Sequence, residues 1–204
     1  MIDLFISTCA EEPVRAGMAR ATIARWLREP DVRVHLLVFG DPRDAIRGYE
    51  HLVIYRGELK TPGPYDASER ERRYLAEEMA KSPIYILADD DILPLEKECA
   101  TWGSQSLEKH PQFGKVCLFT IPDNPVKTEG GFGDRHLFEV HGCGGVRFIR
   151  KGIVQRWAPI ATAGSMEGYD APHCREFHRC GFKVGYFTYL RGLHMGYGHT
   201  TGAN

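Results

Sequence analysis

Apolar residues along the chain gather in short continuous runs, and stretches with helical spacing lie between them. Ile2 to Ser7 and Val32 to Phe39 read as strands. Leu36-Leu37-Val38-Phe39 is apolar on both faces, as a strand covered on two sides must be. Between them, Val14 to Arg28 places Met18, Ile23, Trp26 and Leu27 at helical spacing, with Pro13 in the first turn, where proline is tolerated. Further strands are predicted at His51 to Tyr55, from Ile84 into the acids that follow Ala88, at Val116 to Ile121, at Val146 to Arg150 and at Val184 to Leu190. Helices are predicted over Asp66 to Lys81, from Leu95 to His110 with Pro94 opening it, near Lys151 to Trp157, and from Gly168-Tyr169-Asp170 to Cys180, where Gly181 stops it. Pro122 to His141 lacks periodicity and reads as a long loop of the kind that serves function, and Arg191 to Asn204 as a Gly- and His-rich tail. The alternation predicts an α/β fold over residues 1–204 as one domain, with a central, mostly parallel sheet flanked by helices.

Charge changes this picture little. Lys+Arg 26 against Asp+Glu 27 leaves a formal charge of −1, so no global field recruits nucleic acid or an anionic membrane. The six cysteines follow no small-domain disulfide spacing and several sit in apolar runs, which predicts a reducing, cytoplasmic setting. No basic leader is visible, and no apolar run approaches the roughly 18–20 residues of a transmembrane segment.

Candidate chemistry concentrates at Asp89-Asp90-Asp91, where a buried strand runs straight into three carboxylates. One Asp would cap the following helix, but three repel one another unless a positive charge sits among them. A divalent cation at the C-terminal mouth of the sheet answers this. Hard Mn²⁺ or Mg²⁺ takes oxygen ligands and commonly brings a substrate phosphate along.

Asp89-Asp90-Asp91-Ile92-Leu93-Pro94 resembles the DxD segment of GT-A-fold, nucleotide-sugar-dependent glycosyltransferases, in particular inverting family 2. Arg73-Tyr74-Leu75-Ala76 with Ala80-Lys81-Ser82 resembles that family's helix before the DxD strand, and Gly168-Tyr169-Asp170 through Gly181-Phe182-Lys183 its base-bearing segment. The resemblance implies a Rossmann-like GT-A fold, with a nucleotide-binding half over about 1–95 and an acceptor-binding half over about 96–204. It further implies that Asp91 binds Mn²⁺ or Mg²⁺ directly, Asp89 through water or by holding the donor ribose, and His194 as a third ligand, with His199 the rival. Thr8, Asp41, Arg73, Asp89 and Asp90 would bind the donor, a nucleoside-diphosphate sugar with a UDP-sugar favoured. Asp170 would deprotonate the hydroxyl of a glycan or other acceptor, and Gly144, Gly145 and Tyr169 would line the acceptor side. Two alternatives stand beside this: a nucleotidyl or phosphoryl transferase using the same acids, and a nucleotide-sugar-binding module without turnover. A His/Cys group at His173, Cys174, His178 and Cys180 matches no standard zinc spacing.

Overall fold

The structure, a computed structural model, describes residues 1–10, 12–58, 73, 75–121, 137–141, 143–154 and 170–196, the side chains of 170–172 excepted. In chain order the described strands are β1 (Ile2–Thr8), β2 (Val32–Phe39), β3 (Val53–Gly57), β4 (Ile84–Asp89), β5 (Ile92–Pro94), β6 (Phe113–Ile121), β7 (Leu137–Glu139), β8 (Arg147–Arg150) and β9 (Lys183–His194). The helices are α1 (Pro13–Trp26), the short α2 (Arg43–Ile46), α3 (75–79), α4 (Cys99–Lys109) and α5 (Asp170–Arg179).

These strands form one sheet in the order β3-β2-β1-β4-β8-β6-β9-β5, with β7 alongside β9. Strands β1 to β4, β6 and β9 run one way, and β5, β7 and β8 the other. The α/β architecture and its mostly parallel sheet are therefore as expected. Of the strands that run against the rest, β5 follows the acidic turn directly, and β7 and β8 belong to the C-terminal half.

Period-two side-chain alternation explains the apolar runs. Leu4 and Ile6 of β1 point to one face, with Leu36, Val38, Ile86 and the α1 residues Ile23 and Trp26. Phe5 points to the other, with Leu37, Tyr85, Leu87 and Ala76 and Ala80 around α3. Both faces are covered, so no polar positions are needed on either. Helix α1 begins at Pro13 as predicted, but it meets the core through Ala16, Ala19, Thr22, Ile23 and Trp26, while Leu27 is exposed.

Four expectations need adjusting. Pro94 does not open a helix. It ends β5 at the sheet edge, where a missing backbone N–H is tolerated, and α4 starts only at Cys99. The tail is strand as far as His194, because Arg191 to Leu193 pair with β6 and Gly192 to His194 with β5. Leu137–Glu139, assigned to the long loop, is β7 against β9. Lys151 and Gly152 form a turn, and residues 155–157 of the predicted helix lie outside the described residues.

Candidate active site

Order 3-2-1-4 means that the chain leaves β1 toward β2 on one side and returns to β4 on the other. A crevice opens at the C-terminal ends of such strands, where the order reverses. Thr8 ends β1 and Asp89 ends β4. The register pairs Ser7 with Asp89, so Thr8 stands beside the acidic turn.

Each carboxylate has a different environment. Asp89 is partly exposed and accepts two hydrogen bonds from Arg147 of β8, at 3.0 Å from Nη1 and 3.4 Å from Nη2. Arg147 itself is buried. Asp90 is buried and hydrogen-bonded to Thr8, whose Oγ1 also accepts from the Ala10 amide at 3.3 Å. Burial pushes the Asp90 carboxyl up to about 6; the Thr8 hydroxyl and Arg15 pull it down, while Asp91 and Asp89 push it further up. Asp91 Oδ2 lies 3.2 Å from His194 Nε2, and Arg15 of α1 is 3.9 Å from Asp90 and 4.0 Å from Asp91.

Strand pairing makes the His194 contact. Ile92 faces His194 across β5 and β9, and the Met195 amide donates to the Asp91 carbonyl at 2.8 Å. A side chain at Gly196 would collide with Asp91 Oδ2, so the missing Cβ keeps the space beside the carboxylate clear. Gly145, at φ +76°, presses against Ile92, one residue past the acids.

These residues fit a hard divalent cation. Asp91 and His194 offer an oxygen and a nitrogen side by side, and a cation would relieve the crowding of three carboxylates. Among the described residues no three His, Cys, Asp or Glu side chains converge on one point. The remaining ligands would be phosphate and water, as Mg²⁺ and Mn²⁺ commonly retain.

Other expected residues are placed as follows. Asp41 is at the exit of β2, exposed and paired with Arg43 at 2.7 Å. Arg73 is buried within electrostatic reach of Tyr85. Gly144 and Gly145 lead into β8 beside Ile92. Asp170 is the first residue of α5, but its side chain, Tyr169 and His199 lie outside the described residues. The sequence reading missed Arg15 and Arg147. A signal existed for Arg147, since an arginine inside an apolar strand is seldom buried without a partner.

The sheet order is that of a GT-A-like fold. Comparison with solved structures bears this out. The chain superposes on TarS from S. aureus with a TM-score of 0.62 at 12% identity, over 95% of this chain and 36% of that one. TarS 1-349 in complex with UDP-GlcNAc gives 0.61 at 11% identity, over 97% and 61%. The mannosyltransferase PcManGT from Pyrobaculum calidifontis, in complex with GDP-Man and Mn²⁺, gives 0.61 at 14% identity, over 92% and 56%. The chain thus spans between about a third and three fifths of these neighbours' length. Its sequence matches no protein-family model and no curated protein. No helix among the described residues is long and apolar enough to cross a membrane.

Proposed function

We propose that this chain is a metal-assisted glycosyltransferase. It moves a sugar from a nucleoside-diphosphate sugar, a UDP-sugar being favoured, to an acceptor hydroxyl with inversion at the anomeric carbon. The observation that carries the reading is Asp91 meeting His194 at the mouth of β4, beside Asp89 and Asp90, in a fold shared with proteins that bind UDP-GlcNAc and GDP-Man.

Asp91 and His194 would hold Mn²⁺ or Mg²⁺, which when bound neutralises charge on the departing diphosphate. Asp89, oriented by Arg147, is suited to a ribose hydroxyl or to a metal-bound water rather than to direct coordination. Arg15 points its guanidinium at the same place and is suited to a phosphate oxygen. Thr8 holds Asp90 in position. Asp170, at the N-terminus of α5, is the candidate base: the helix dipole favours its ionised form, and general-base help is worth about 10²–10⁴-fold.

Asp91→Asn is expected to abolish Mn²⁺-dependent UDP binding by calorimetry and donor turnover, with an unchanged circular dichroism spectrum. Full turnover in that variant would end the proposal. Asp170→Asn should retain donor binding and lose transfer. Product analysis separates the neighbouring chemistry, because cleavage between the two phosphates instead of between sugar and phosphate would make the protein a phosphoryl or nucleotidyl transferase.

A further inference from the structure

On the face of the sheet covered by α3 and α5, three cysteines and a lysine meet in the interior. Lys115 of β6 is fully buried. Its Nζ donates to the Cys143 carbonyl at 2.7 Å and to Cys174 Sγ at 3.2 Å, and lies 3.2 Å from His173 Nδ1. The Cys117 thiol donates to Cys143 Sγ at 2.6 Å, and the Cys143 amide to Cys174 Sγ at 3.4 Å. Cys143 and Cys174 are also hydrogen-bonded through their side chains, so the three sulfurs form one contiguous chain.

We propose that this cluster is a redox site, in which hydrogen peroxide converts the Cys117 and Cys143 thiols to a disulfide and Cys174 is the sulfur that meets the oxidant. The Cys143 thiol and the Lys115 ammonium both stabilise a negative sulfur at Cys174 and hold it well below the usual thiol range, against the effect of burial. Burial drives the Cys143 thiol the other way. One activated sulfur therefore touches one resting thiol, which touches another. All three are at most 3% exposed, which favours an oxidant close to water in size over bulky thiols.

The chemistry balances in three steps. Cys174 thiolate attacks one peroxide oxygen, the O–O bond breaks, and hydroxide leaves with a sulfenic acid formed. The Cys143 sulfur, giving its proton to that hydroxide, attacks the sulfenic sulfur; a Cys143–Cys174 bond forms and the second hydroxide departs. Cys117, giving up its proton to that hydroxide, attacks Cys143 and releases Cys174 as thiolate. Two thiols and one peroxide become one disulfide and two waters. Cys117 sits opposite Arg147 in the β6–β8 register, and Cys143 precedes Arg147 by four residues. The link would therefore tie the segment that presents Arg147 to Asp89 onto β6. This thiol chemistry is independent of sugar transfer.

Peptide mapping of the full chain tests it. The reduced protein is exposed to hydrogen peroxide, unfolded, alkylated and digested without reductant. Loss of two of the six thiols with a Cys117–Cys143 linked peptide is expected. Cys174→Ala should form the same link roughly tenfold more slowly, as expected when the thiolate is lost. Cys117→Ala should stop at Cys143–Cys174. Six alkylated thiols after peroxide, links confined to Cys9 or Cys180, or one zinc per chain that protects these sulfurs would each overturn the proposal. The wild-type map decides the matter even if a variant fails to fold.

Discussion

At the scale of single residues, backbone conformation and charge placement set what each position tolerates. Gly145 combines a left-handed φ of +76° with a Cβ position 2.7 Å from Ile92 Cδ1. A left-handed conformation alone costs a non-glycine residue about 1–2 kcal/mol. Gly145→Ala is therefore expected to lower stability by about 2 kcal/mol or more in urea unfolding, and Ile92→Val should recover part of the loss because the two sites share the contact. Asp89-Asp90-Asp91 was legible as a candidate site because consecutive carboxylates after an apolar run have no common structural use. The partition among them was not legible: Arg147 on Asp89, Thr8 on Asp90 and His194 on Asp91 come from three other strands. Lys115 carries the same lesson. It precedes the strand predicted at Val116 to Ile121 and falls inside β6 as observed, and only packing brings the cysteines to it.

At the scale of elements, Asp3 shows how one buried carboxylate joins several. It accepts from Arg33 at 2.8 Å, lies 3.0 Å from His35 Nε2, both on β2, and accepts from the backbone amides of Lys81 and Ser82, just before β4, at 2.7 and 3.0 Å. Burial alone would raise its pKa, but the hydrogen bonds from His35, Lys81, Ser82 and Arg33 outweigh it and hold the carboxyl well below the ordinary carboxylate range. A group lowered in the folded state contributes its stability above the unfolded value, about 3.9, and loses it as pH falls from there toward the folded value. Stability should thus be level in this respect above about pH 5 and fall below pH 4. Asp3→Asn should cost about 2–3 kcal/mol at pH 7 and flatten the acid limb, as urea titrations from pH 7 to 3 would show. A smaller loss at pH 7 with the limb unchanged would mean that other carboxylates govern acid unfolding.

At the scale of the whole molecule, the candidate site draws its residues from both halves of the chain. Thr8 comes from β1, the acids follow β4, Arg147 is on β8 and His194 ends β9. A ligand seated there stabilises the folded state by mass action. UDP with Mn²⁺ at about 100 times its Kd should add about 2.7 kcal/mol, read as a rise in melting temperature. Neither component alone should do so fully, and no shift from any nucleotide sugar with either metal would count against the site.

The longer strands β1, β2, β4, β6 and β9, helix α1, the two-sided burial and the place of the acids at the end of β4 followed from the sequence, because these depend on residues near one another and on period-two and helical spacing. Glu98 at φ 55° ahead of α4, Pro94 as the end of an edge strand, and the tail as a strand reaching His194 did not. Each is decided by what lies across the sheet. His194 follows Asp91 by 103 residues in the chain yet shares a hydrogen bond with it. Local pattern alone does not encode such a meeting, since it exists only once β5 and β9 have paired.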